Sequence, residues 1–241
     1  MNNTDRLSQT RQKDTTFDAG LQKHFQGVYN IMALGLAVTG VSAYLVSQIP
    51  GVEQFYMMLQ QNIFIGLAVM AAPMMLMMML FSQNRLYNAS FQSLVLGFIG
   101  FSAFFGALLG SVFLVYSAAS IVKTFFITSA TFAATSIWGY TTKRDLSRMG
   151  SLLGMAAIGL LLAIFVNVVL QSPIMHIVIS GVGIVIYTGL TAWDTQNIKQ
   201  MYRQSNGTAV NAKLSVMGAL SLYMNFIMLF QFLLQFMGSR E

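Results

Sequence analysis

The sequence predicts an all-α membrane protein of seven transmembrane helices. Scarce charge, long apolar stretches and sidedness of the basic residues predict it together. Only 8% of the 241 residues are charged and 56% are hydrophobic, whereas soluble domains carry about 25% charged residues. So little polar surface cannot cover a water-soluble globule, and apolar helices in lipid resolve the shortfall.

Crossing a hydrocarbon core takes about 20 apolar residues at about 1.5 Å of rise each. Seven stretches qualify: 28–47, 63–81, 91–116, 121–140, 151–170, 175–194 and 213–237. Before them, residues 1–27 mix Asp5, Arg6, Arg11, Lys13, Asp14, Asp18 and Lys23. A signal peptide would pass at once from a basic start to a short apolar run. Residues 1–27 therefore read as a polar, flexible cytoplasmic arm ahead of a membrane domain over 28–241.

The first span carries Asn30, expected to hydrogen-bond between helices, as does Asn167 of the fifth. The second holds Pro73 midway, which predicts a kink. The run Met74-Met75-Leu76-Met77-Met78-Met79 that follows reads as apolar filler rather than soft copper ligands. In the third, Gly106 and Gly110 form a GxxxG, and Gly150 and Gly154 form another where the fifth begins; such spacing lets helix backbones approach. A Ser-Ala-Ala-Ser turn at 117–120 separates the third span from the fourth. Merging those two would need a helix far longer than the bilayer is thick.

The basic residues test the count. With seven spans, Arg6, Arg11, Lys13, Lys23, Arg85, Lys143, Arg144, Arg148, Lys199, Arg203 and Lys213 share one side, which is 11 of the 13 Lys and Arg. Lys123 and Arg240 lie on the other. The positive-inside rule then places the N-terminus in the cytoplasm and the C-terminus outside. Trp138 and Trp193 fall near cytoplasmic span ends, where amphipathic rings sit. The net charge of +6 is thus a topology signal, and no nucleic-acid partner is expected.

Ionised groups in the bilayer are costly and mark functional sites. Of the seven acids, only Asp194 lies in or against a span. A negative charge at a helix C-terminus is unfavourable, so the sixth helix is expected to continue through Tyr202 and bury Asp194 about two turns inside its end. Gly183, Tyr187, Thr191, Asp194 and Asn197 then share one polar face. In the seventh span, Gly218, Ser221 and Asn225 share another, and Asn225 is expected at the depth of Asp194. His176, at the outer end of the sixth span, reads as an interfacial residue, and Lys123 as one that snorkels.

Several chemistries are excluded on residue content. The chain has no cysteine, hence no disulfide, zinc-thiolate or iron–sulfur site. An intramembrane aspartyl protease needs two membrane carboxylates. A serine protease needs a histidine base, yet His24 lies in the arm and His176 at the outer edge. A retinal Schiff base needs a lysine inside the last span, and Lys213 sits at its margin. No enzymatic activity and no cofactor are expected.

Ile186-Tyr187-Thr188-Gly189-Leu190-Thr191-Ala192-Trp193-Asp194-Thr195-Gln196-Asn197-Ile198 resembles the signature of the Bax inhibitor-1 family. Gly218-Ala219-Leu220-Ser221-Leu222-Tyr223-Met224-Asn225-Phe226-Ile227 resembles that family's last-helix motif, and Thr141-Thr142-Lys143-Arg144-Asp145-Leu146-Ser147 a loop of its bacterial members. The resemblance covers about residues 25–238. It implies a bundle with the last helix central and, in members studied as calcium leaks, a latch of two aspartates on the last two helices. The first latch position is Asp194. The second is Asn225, a departure from the pattern. Two adjacent carboxylates make a pH switch, whereas an amide has no proton to share, so neutral-pH gating is not expected here. Asp194 and Asn225 remain weak candidates to meet calcium, with Tyr187, Thr191 and Ser221 in support and Arg85 as a counter-charge. The resemblance also implies a second reading: bacterial relatives look like modulators of a membrane-bound ATP-dependent protease, and the arm would be the handle.

Overall fold

The computed structural model describes residues 3–82, 88–204 and 208–239. Among them all regular structure is helical: α1 (Asn3–Ser47), α2 (Val52–Gln61), α3 (Ile63–Leu80), α4 (Phe91–Leu109), α5 (Val112–Val115), α6 (Ala118–Thr141), α7 (Ser147–Leu170), α8 (Pro173–Gln204) and α9 (Thr208–Met237). Side chains of the connecting turns set several starts. Asn62 accepts from the amides of Phe64 and Ile65, Ser90 from Ser93 and Ser117 from Ser120, each satisfying an amide with no partner inside its helix. Gln171 ends α7 in the left-handed region, and Pro173 opens α8 two residues later, where its missing N–H costs nothing.

Six helices are long and apolar enough to cross a membrane: Ala19–Ser47, Phe91–Val115, Ala118–Thr141, Ser147–Leu170, Pro173–Tyr202 and Val210–Met237. The stretch 63–81, read as the second of seven spans, forms the shorter apolar helix α3. By length and composition the described residues therefore give six such helices. Outward faces are apolar, as lipid requires: Leu152, Met155, Ile158, Leu162, Val166 and Val169 line an exposed stripe of α7 at helical spacing.

The core is built around α9, which packs against α1, α4, α6 and α8. Val216, Ala219, Leu222, Tyr223 and Leu229 on it are fully buried. Tyr223 lies among Phe98, Phe101 and Phe105 of α4, and its hydroxyl meets that of Thr39 on α1 at 2.7 Å. Gly106 lets α4 lie on the α1 backbone at Thr39, where a Cβ would collide. Gly150 accommodates the ring of Trp193, while Gly154 faces open space. At the far end the Ser117 amide donates to the Ser239 carbonyl and the Ser239 amide to Ser120 Oγ, fastening the C-terminus to the α5–α6 turn.

Several sequence expectations are corrected. Residues 3–27 belong to a helix continuous with the first span, and Leu21, His24 and Phe25 are buried, so packing starts before residue 28. The signal is a face, Leu21, Phe25, Val28 and Met32, interrupted by polar residues that break the apolar run. The turn expected at 117–120 is tighter, since α6 begins at Ala118. Trp193 is half-buried, its ring against Gly150 near the start of α7. Asn30 is exposed and makes no interhelical bond among the described residues, and the Asn167 side-chain Oδ1 accepts from the nearby Ser172 amide. The short helix α2 was not foreseen.

Candidate functional site

The sixth expected span does continue past its apolar run: α8 extends to Gln204, with Asp194 well inside it. The geometry around it follows from close packing of three helices. Gly139 of α6 lies directly on the backbone of Ala192, with no room for a Cβ, and Gly218 of α9 lies against Ile198. These glycines draw α6 and α9 onto α8 on either side of Asp194.

There the Asn225 amide donates to Asp194 Oδ2 at 2.5 Å, and Ser221 lies one turn earlier on the same helix. Asp194 is 8% exposed and Asn225 5%. Burying a carboxylate is costly unless its oxygens are hydrogen-bonded, and the Asn225 amide on α9 supplies such a bond. Among the described residues, the carboxylate has no ion-pair partner. Arg85, expected as its counter-charge, lies outside the described residues.

The remaining supporting residues are placed differently. Thr191 is buried, but its hydroxyl donates to the Tyr187 carbonyl in its own helix. Tyr187 lies nearly two turns outward, its ring against Phe232. The structure thus joins Asp194 to Asn225, with Ser221 one turn away on α9, and shows no hydrogen bond from Tyr187 or Thr191 to the carboxylate among the described residues. As a cation site Asp194, Asn225 and Ser221 offer at most two carboxylate oxygens, one amide oxygen and one hydroxyl. Calcium takes about six to eight oxygens. Among the described residues no cluster of three or more His, Cys, Asp or Glu could hold a metal.

A second polar layer escaped sequence reading. Tyr29 of α1 meets Ser136 of α6 at 2.5 Å, and Ser136 meets Thr195 of α8 at 2.9 Å. Gln196 accepts from the Leu146 amide and donates to the Arg144 carbonyl, both at 2.8 Å, clamping the loop between α6 and α7. Lys199 donates to the Tyr140 carbonyl at 2.9 Å and lies over that ring. His24, assigned to a flexible arm by its polar neighbours, is buried against Ser215 and Tyr202. Serines and threonines in apolar runs carry no periodic mark, so only tertiary packing exposes this layer.

Comparison with known proteins adds a lineage to this geometry. The family model described as "Inhibitor of apoptosis-promoting Bax1" matches residues 21–241. The chain belongs to the Bax inhibitor-1 family. Among relatives of this Bax inhibitor-1 protein, an uncharacterized protein of Rickettsia prowazekii is 41% identical over 232 residues, 96% of each chain. One of Caulobacter vibrioides is 40% identical, over 95% of this chain and 93% of its own. The inner membrane protein YbhL of Escherichia coli K12 is 38% identical, over 92% and 94%. The family match begins at Leu21, on the buried face of α1, so the Bax inhibitor-1 unit includes turns that hydropathy alone leaves outside it.

Proposed function

We propose that this Bax inhibitor-1 protein is a passive cation leak, with calcium as the permeant ion, held shut by the contact of Asp194 with Asn225. One observation carries the reading: the membrane region's single carboxylate is buried where α8 meets the central helix, and the Asn225 amide of that helix donates to it. An intramembrane acid so placed marks an ion pathway more often than a structural bond. Breaking the contact would free oxygens that suit a hard cation, too few for tight storage and therefore suited to transit. Calcium is cargo here, and the reading assigns no cofactor and no catalytic step. In this arrangement α3 is the seventh crossing, which keeps 11 of 13 basic residues on the cytoplasmic side with the N-terminus. The membrane is the inner one, the location in the name of the Escherichia coli relative.

The test is calcium flux into proteoliposomes. Wild type should leak above empty liposomes, and Asp194→Ala should change the rate. Flux equal to that of empty liposomes at every pH from 6 to 8 would end the channel reading. The second reading, restraint of a membrane-bound protease, is favoured by the length of α1, which runs from Asn3 although the apolar run of the sequence starts at residue 28. Such a helix offers a handle beyond the bilayer. Deleting residues 1–18 should leave flux intact under the first reading and abolish protease regulation under the second.

A further inference from the structure

A cavity of about 540 Å³ lies between α3, α4, α7, α8 and α9, within the size range of ligand sites. It exists because α3 packs on α4 yet meets α7 only narrowly, leaving a gap beside the central helix. Pro73 stands in its α3 wall together with Val69. Proline has no N–H, so the Val69 carbonyl loses its normal helical partner at that wall. Met74 lines the cavity and lies beside the exposed Met75 of α3. The α3 wall of the cavity therefore borders the apolar outer surface of the bundle.

Its lining is sorted along the membrane normal. The polar side chains Asn167, His176, Gln231 and Gln235 all lie within about 9 Å of the outer helix ends, counting 1.5 Å per residue. Gln235 already accepts from Ser180, whereas Gln231 makes no hydrogen bond among the described residues. From there inward the wall is aliphatic, aromatic and methionine, apart from the hydroxyl of Tyr187. It reaches Tyr187 and Met224, about 20 Å from those same ends. One leaflet of hydrocarbon is about 15 Å deep, half of the bilayer core. An ion vestibule would present polar groups along its length. This cavity presents them at one end only, none of them carboxylates.

We infer that this cavity is a binding site for one membrane phospholipid, its acyl chain inserted between α3 and α7 and its head at Asn167, His176, Gln231 and Gln235. The site is separate from the Asp194 contact and does not depend on the leak. A chain seated there fills a gap that water would enter only at high cost and holds α3 at its distance from α9.

The test uses the full chain in nanodiscs of phosphatidylcholine doped with phosphatidylcholine carrying a diazirine on one acyl chain. Transfer to detergent strips loosely held lipid, and native mass spectrometry then counts what remains. One retained phospholipid per chain is expected. Irradiation should place adducts on Met74, Ile164 and Met228, not on the lipid-facing Met155 and Val169. Ala157 lines the cavity, while its neighbour Ile158 does not and is 62% exposed. Ala157→Phe should cut retention about tenfold, a loss of about 1.4 kcal/mol, and Ile158→Phe should not. No retained phospholipid, adducts confined to the lipid face, or retention of diazirine-labelled palmitate without phospholipid would each overturn the proposal. If Ala157→Phe fails to fold, the adduct map on wild type decides.

Discussion

Asn225 Nδ2 lies 2.5 Å from Asp194 Oδ2, tying the central helix to α8 through two side chains that are both more than nine-tenths buried. The amide can donate at any pH, so this contact does not depend on a shared proton. Its strength rests on charge assistance and on exclusion of water.

Replacing Asn225 by Ala removes the one side-chain donor that the carboxylate has among the described residues. Hydrogen bonds to charged groups contribute about 1.5–3 kcal/mol, so Asn225→Ala should lower stability in detergent by that order. Asn225→Asp separates the electrostatic part. When both carboxylates are ionised they repel, and when one is protonated they bond. Flux through Asn225→Asp should therefore rise with pH across a range where wild type is flat, and parallel profiles would show that the contact does not gate.

Glycine packing gives a prediction free of any functional reading. A Cβ at Gly139 would run into the Ala192 backbone, whereas at Gly154 it would meet nothing within 4 Å. Overpacking costs about 1–3 kcal/mol, more where backbone must yield. Thermal unfolding should show Gly139→Ala clearly destabilised. Gly154→Ala should be neutral or slightly stabilised, because Ala favours helix by about 1 kcal/mol.

These residues also show what the sequence could reveal. Asp194 stood out because charge is rare in apolar stretches, and Asn225 because it shares a face with Ser221 and Gly218. Counting residues from the cytoplasmic ends puts them at roughly 12 and 18 Å, near enough to meet. Gly150 and Gly154 share one GxxxG spacing, yet only Gly150 has a helix neighbour to admit, and spacing cannot tell them apart. The buried turns of α1 were missed because hydropathy averages over all faces, diluting Leu21 and Phe25 among polar neighbours. The α3 cavity has no sequence signature, since a gap is a property of neighbouring helices.

Asp145, outside the spans, yields a pH prediction. Its carboxylate accepts from the Ser147 amide at the start of α7, and hydrogen bonds from Ser147 hold its carboxyl below the usual carboxylate range. A depressed value means the bond's contribution is present above the unfolded value, about 3.9, and is lost as pH falls through the folded one. A carboxyl-carbon NMR titration of Asp145 should show a midpoint below that of an Asp peptide. Ser147→Ala removes only the hydroxyl bond and should move it partway back.

Tyr223 offers a test of the central helix itself. Its hydroxyl is fully buried and bonded to Thr39, which also donates to the Ser102 carbonyl. Tyr223→Phe keeps the ring among Phe98, Phe101 and Phe105 and deletes one oxygen. The cost should be about 0.5–1.5 kcal/mol, read as a lower melting temperature with unchanged helix content. Thr39→Val and the double variant complete a cycle. Coupling near zero would mean that ring packing, and not the hydroxyl pair, joins α1 to α9.

Gln196 holds the loop between α6 and α7 with both ends of its amide, at the Leu146 amide and the Arg144 carbonyl. The loop carries Lys143 and Arg144, both exposed, so trypsin reports its mobility directly. Gln196→Leu keeps the approximate volume and leaves two backbone groups unpaired, at about 1–3 kcal/mol each if they stay buried. The loop escapes that cost by opening to water, since it lies at the membrane edge. Cleavage after Lys143 or Arg144 should therefore accelerate roughly tenfold, the change that about 1.4 kcal/mol of local opening gives, while the global melting temperature moves little. A large drop in melting temperature without faster cleavage would mean that Gln196 anchors α8 to the bundle and not the loop to α8.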